Sequence, residues 1–197
     1  TKEKAQTISG ISTVFWSDNL ATTLHPLLVE KDSIVLNTNE HSRAGLGIES
    51  RDLRMARQFL DLYPLHSFHR LAPIFHDLRA VKSTAEVNII RDAIAITKHG
   101  LDKVLSHLKP GVKEYELEAE LIGEFTRQRA TMGYEPIVAS GKNACTLHYI
   151  NNNGPCQDGD LLLIDVGANH ANYTADVTRV FPVSGRFTPR QKELYQA

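Results

Sequence analysis

Asp165 and Asp176 stand eleven positions apart, each flanked by apolar and β-branched residues, in Leu161 to Gly167 and in Asp176 to Phe181. Gly167, Asn169 and Asn172 lie between them, so the stretch predicts a hairpin of Leu161–Val166 and residues 174–181, with Asp165 opposite Asp176. Side chains alternate along a strand, so both carboxylates would share one face with Leu161, Leu163, Thr178 and Val180. Like charges directly opposite each other are destabilising, and burial deepens the repulsion. A shared proton, a basic side chain between the acids, or a hard divalent cation would offset it. A turn-initiating Asp joined by a second surface Asp would need none of these.

The elements that must position these acids follow from periodicity. Ser83 and Glu86 form a capping box, and Val87, Ile90, Ala93, Ile94, Leu101, Val104, Leu105 and Leu108 then make a helical stripe that Lys109-Pro110-Gly111 ends. A second helix is expected over 114–130, with Leu117, Leu121, Ile122 and Phe125 apolar. Lys113 stands at its N-cap position, where no hydroxyl is available to cap it. Residues 134–140 predict a strand and 141–146 a turn into Leu147-His148-Tyr149-Ile150. His148 beside an aromatic fits either a satisfied core histidine or a substrate-facing one. His170, in the turn between the two acids, is expected to be solvated. Thr188 and Pro189 are the N-cap and first residue of another helix.

The first part of the chain predicts an α/β unit. Val14-Phe15-Trp16 and Ser33 to Leu36 are expected strands, and 50–63 a helix with Leu53, Ala56, Phe59 and Leu60 on one face. Residues 37–50 are expected to be loop. His66, His69 and His76 are close in sequence, yet 65–68 looks extended, so their rings are not expected to converge on a metal.

At 197 residues with 42% apolar and 23% charged residues, the chain can bury a core as one or two domains. A net charge of −1 recommends neither nucleic acid nor an anionic membrane as a partner. No apolar run approaches a membrane span and no leader pattern opens the sequence, so a cytoplasmic location is expected. Cys145 and Cys156 are read as reduced thiols.

Several motifs in fixed order then carry a resemblance: residues 137–144 with Leu147-His148-Tyr149, Gly159-Asp160, Asp165-x-Gly167, Tyr173, Asp176-Val177-Thr178-Arg179 and Phe181-Pro182-Val183-x-Gly185. The chain resembles the creatinase/aminopeptidase P group of pita-bread metallopeptidases, family M24, and within it the Xaa-Pro aminopeptidases and dipeptidases. The resemblance implies an α/β (α+β) fold. Residues 1–77 would be the C-terminal part of a small N-terminal α/β domain, and 78–197 the first αα-ββ half of the pita-bread domain. It implies metal ligation by Asp165 and Asp176 and a catalytic His148, with Thr178 orienting Asp176. Two divalent ions would generate a nucleophile from water, manganese being expected and zinc or cobalt the alternatives. The implied substrate is a peptide with proline at its second position, and a homo-oligomer is expected. The remaining His and two Glu ligands would lie beyond Ala197, so the chain is expected to be a fragment, inactive and weak in metal binding by itself. A metal-independent creatinase-like amidinohydrolase and a non-cleaving pita-bread binding module are the alternatives.

Overall fold

In the computed structural model, which describes residues 1–38, 40 and 48–196, the chain divides into two units, Thr1–Val81 and Lys82–Ala197. A division after residue 77 would fall inside the helix Ala72–Ala80, which belongs to the first unit.

The first unit carries helices α1 (Lys2–Ser9) and α2 (Leu20–Leu28), then strand β1 (Ser33–Leu36), helix α3 (Arg51–Leu62), strand β2 (Ser67–Arg70) and helix α4 (Ala72–Ala80). β1 and β2 pair in parallel, Ile34 against Phe68, so the return between them needs a crossover, and α3 lies within it. Ser50 caps α3 by accepting from Leu53 N at 3.0 Å. The buried face of α3 is Ala56, flanked by Leu53 and Phe59 and extended by Tyr63; Leu60 is 47% exposed, outside the expected stripe. Residues 14–16 are not a strand: they have no ladder partner, and Phe15 and Trp16 are exposed. The segment 37–50, expected as loop, lies largely outside the described residues. His66 packs edge-on against Tyr63, with Nε2 3.0 Å from Leu28 O, which accounts for it as a structural histidine.

The second unit opens with helix α5 (Thr84–His107), where both bonds of the expected capping box form: Ser83 N donates to Glu86 at 2.7 Å and Glu86 N to Ser83 Oγ at 3.3 Å. Helix α6 (Glu114–Arg127) packs on α5 through Leu117, Leu121 and Phe125. Gly100 admits the Phe125 ring, whose edge would stand 2.7 Å from a Cβ at that position. The buried face of α5 is Ala93, Ile96, Thr97, Gly100, Leu101 and Val104, whereas Ile94 and Leu105 point to solvent. The stripe predicted from sequence is thus rotated by part of a turn, because it omits Thr97 and Gly100, which fit the interface by being small.

Two antiparallel sheets follow. β4 (Ile137–Ser140), β5 (Leu161–Val166) and β8 (Val177–Pro182) lie in the order β4-β5-β8; β3 (Thr131–Met132), β6 (Ala168–His170) and β7 (Tyr173–Thr174) in the order β3-β6-β7. Val138, Leu162, Ile164 and Val166 join the helix residues in one core. Thr97 ties α5 to β6: its hydroxyl donates to Ala93 O at 2.8 Å and accepts from Ala168 N at 2.9 Å. β4 begins at Ile137, leaving Tyr134 ahead of it, since 133–136 bends away before Pro136. Helix α7 (Pro189–Gln196) starts at the expected Thr188, whose Oγ1 accepts from Gln191 N at 3.2 Å.

Candidate metal centre

Along β5 burial alternates strictly, with Leu162, Ile164 and Val166 in the core. Asp165 therefore projects from the other, partly accessible face. Asp176 immediately precedes β8. The expected opposition of the two acids is corrected by the ladder: Asp165 pairs with Thr178, and Val166 with Val177. The register differs by two residues because 168–174 fold into a hairpin of their own, β6–β7, paired to β3. A displacement of two preserves parity and keeps both carboxylates on one face; a displacement of one would have separated them.

Gly167 makes this crossing possible. A Cβ at that residue would lie 1.6 Å from Ala175 O, a main-chain atom that cannot yield as a side chain could.

The acids converge on a residue that the sequence reading did not single out. The Tyr134 hydroxyl lies 2.6 Å from Asp165 Oδ1 and 3.1 Å from Asp176 Oδ1. A neutral donor thus relieves part of the repulsion, a fourth possibility beside proton sharing, a cation or a basic side chain. Burial, followed by the hydrogen bond and charge of Asp165 and then those of Asp176, pushes the phenol far above its usual range, so it remains a protonated donor. Only position before a proline-bounded strand marks Tyr134 in the sequence, and that pattern is too common to signal a site.

Tyr134 engages only the Oδ1 atoms, so the Oδ2 atom of each acid remains for a cation. Two hard carboxylates converging on one point suit a hard divalent ion. Among the described residues no group of three or more His, Cys, Asp or Glu that could hold a metal ion is found, so by themselves the two acids could furnish only part of a ligand set. Thr178 makes no hydrogen bond to Asp176; it faces Asp165 across the ladder, and Tyr134 is the residue that bonds Asp176.

His148 is exposed and lines, with Leu163, Asp165 and Thr178, a concavity of about 240 Å³. Its φ of 54° is left-handed, a conformation that costs a non-glycine residue about 1 kcal/mol and requires support from its surroundings. His170 differs from expectation: it sits half-buried on β6, with Nδ1 enclosed and without a hydrogen-bond partner. Pairing of β6 with β3 on one side and β7 on the other draws it in. Cys145 and Cys156 are both free thiols, the first exposed and the second buried.

The sequence model of metallopeptidase family M24 matches residues 88–197, which include His148, Asp165 and Asp176. The chain belongs to metallopeptidase family M24. This M24 chain is 42% identical over 125 residues to a Xaa-Pro aminopeptidase of Haemophilus influenzae, covering 63% of the chain and 29% of that relative. It is 43% identical over 124 residues to the Xaa-Pro aminopeptidase of Escherichia coli, covering 62% of the chain and 28% of that relative. Among solved structures, a Bacillus anthracis protein described as a candidate aminopeptidase P superposes with a TM-score of 0.90 at 36% identity, over 100% of the M24 chain and 47% of its own. Escherichia coli aminopeptidase P in complex with substrate gives 0.81 at 32% identity, over 98% of the M24 chain and 44% of its own. The mixed helix-and-strand fold is therefore that of aminopeptidase P, and the M24 chain spans less than half the length of these solved structures. Among the described residues no helix is long and apolar enough to cross a membrane.

Proposed function

We propose that the whole protein is a metal-dependent exopeptidase that hydrolyses the bond before proline at the N-terminus of a peptide or in a dipeptide. The observation that carries this reading is the convergence of Asp165 and Asp176 on one hydroxyl, in a chain that belongs to M24. Relatives named Xaa-Pro aminopeptidase support the substrate class. A metal-independent amidinohydrolase or a non-cleaving binding module of this fold would have no use for the acid pair.

In this reading Asp165 and Asp176 hold two divalent ions together with further ligands, and oxygen donors favour manganese. When bound, the ions supply Lewis-acid activation of water and of the scissile carbonyl. Tyr134 orients both carboxylates, its single hydroxyl proton shared between Asp165 Oδ1 at 2.6 Å and Asp176 Oδ1 at 3.1 Å. His148 donates a hydrogen bond to the carbonyl oxygen as it gains charge, a role its exposure and shared concavity with Asp165 support. The unit Thr1–Val81 corresponds to the C-terminal part of a creatinase-like N-terminal domain, and Lys82–Ala197 to the front half of the catalytic domain. The free thiols agree with a cytoplasmic location. Exposed Ile94, Leu105 and Ile122 offer apolar surface for a homo-oligomer.

The test is made in the full-length protein with a peptide carrying proline second. Asp165→Asn and Asp176→Asn should each abolish turnover and lower bound metal. His148→Ala should retain metal and lower kcat by about 100- to 1000-fold. Undiminished turnover in either Asp variant overturns the assignment.

A further inference from the structure

Glu114, the first residue of α6, is the one charged side chain that is buried among the described residues, at 0% exposure. An uncompensated carboxylate in that position would be very costly. Its compensation comes from one stretch of chain. Glu114 Oε1 accepts from Ser140 N at 2.7 Å and Asn143 Nδ2 at 3.0 Å; Oε2 accepts from Tyr149 OH at 2.8 Å and Gly154 N at 2.7 Å. Two of these donors precede His148 and two follow it. One helical turn on, Glu118 accepts from Asn152 Nδ2 at 3.0 Å, while Asn152 Oδ1 accepts from Val138 N at 3.0 Å.

We propose that Glu114 is a positioning residue for His148: its buried carboxylate grips the 140–154 segment on both sides of His148 and fixes that side chain over the concavity shared with Asp165. Tyr149, adjacent to His148 in sequence, is buried and bonded to Glu114, so the main chain at His148 is anchored one residue from its left-handed φ. The inference rests on the reading of His148 as substrate-facing, and deepens it by naming what sets the geometry. Glutamine cannot replace Glu114 quietly. In either amide orientation its NH2 group would face a backbone N–H, of Ser140 or of Gly154, and a backbone N–H cannot turn round to accept.

The first measurement uses the full-length protein, free of metal, with ¹³C-labelled histidine, the His148 ring resonance being identified by its loss in His148→Ala. Glu114→Gln should shift or split that resonance while leaving the His25 resonance, in the first unit, unmoved. Tyr149→Phe, which removes one of the four donors to Glu114 and leaves the carboxylate in place, should shift it less. The second measurement is a double-mutant cycle in the full-length enzyme. Glu114→Gln should lower kcat/KM by up to about 100-fold with bound metal unchanged, as a small misplacement of a reacting group does. Combined with His148→Ala, it should add less than about twofold to the loss from His148→Ala alone. Additive losses in the cycle, or an unmoved His148 resonance in both Glu114→Gln and Tyr149→Phe, overturn the proposal. Should Glu114→Gln fail to fold, the Tyr149→Phe resonance decides alone. If His148→Ala proves fully active, the catalytic reading of His148 fails, and the resonances still decide whether Glu114 sets the loop.

Discussion

Replacing Tyr134 by Phe removes one oxygen and leaves two carboxylates that had converged on it, from 2.6 Å and 3.1 Å, facing each other without a donor. Those distances bring the nearest carboxylate oxygens to within about 6 Å of one another, where two full charges repel by about 3 kcal/mol at an effective dielectric near 20 and by less than about 1 kcal/mol in water. The hydrogen bond to a charged acceptor contributes about 1.5–3 kcal/mol, and partial solvent access reduces both effects. We expect Tyr134→Phe to destabilise the second unit by about 1–2 kcal/mol at pH 7–8, lowering its Tm by several degrees. The dependence on pH has a definite sign. The folded phenol is held above its unfolded pKa of 10.0, so its contribution is fully present below about pH 10 and is lost as pH rises above that value, where the unfolded tyrosine ionises. The stability gap between the native chain and Tyr134→Phe should therefore be flat through neutral pH and narrow above about pH 10. Urea melts of both chains from pH 6 to pH 11 provide the measurement. A gap of zero at pH 7, or one that widens with alkalinity, refutes the assignment of Tyr134 as the donor between the acids.

Gly167→Ala should cost more than about 3 kcal/mol, since a methyl group 1.6 Å from Ala175 O forces β5 and the chain before β8 apart; a thermal melt within a degree of the native chain would contradict that close approach. Cys145 should react promptly with a thiol reagent in the native state, whereas Cys156, buried and with its thiol pKa pushed up mainly by that burial, should react only on unfolding. Two equally fast thiols would reject the burial of Cys156.

The acid pair was legible because spacing and hydrophobic alternation place residues on faces, and a face survives an even error in register. The register itself was not legible. Residues 168–174 contain turn chemistry, but their pairing with β3 depends on Thr131 and Met132, remote in sequence and too short a strand to show alternation. The helix starts at Ser83 and Thr188 are legible because capping is local, whereas the helix that Ser50 caps is legible from its apolar face. At Lys113, where no hydroxyl is available, Glu116 still accepts from the Lys113 N–H at 2.7 Å, so half of a capping box remains. Val14-Phe15-Trp16 misled because β propensity without a partner strand makes no ladder. Tyr134 and Glu114 escaped notice for a common reason: each matters through partners far along the chain, and nothing adjacent in sequence announces them.

The contact between Gly167 and the Ala175 carbonyl means that the separation of the two acids is written in the main chain and not in the surrounding side chains. Substitutions in the lining of the concavity can then change its shape and polarity while the two carboxylates keep their places.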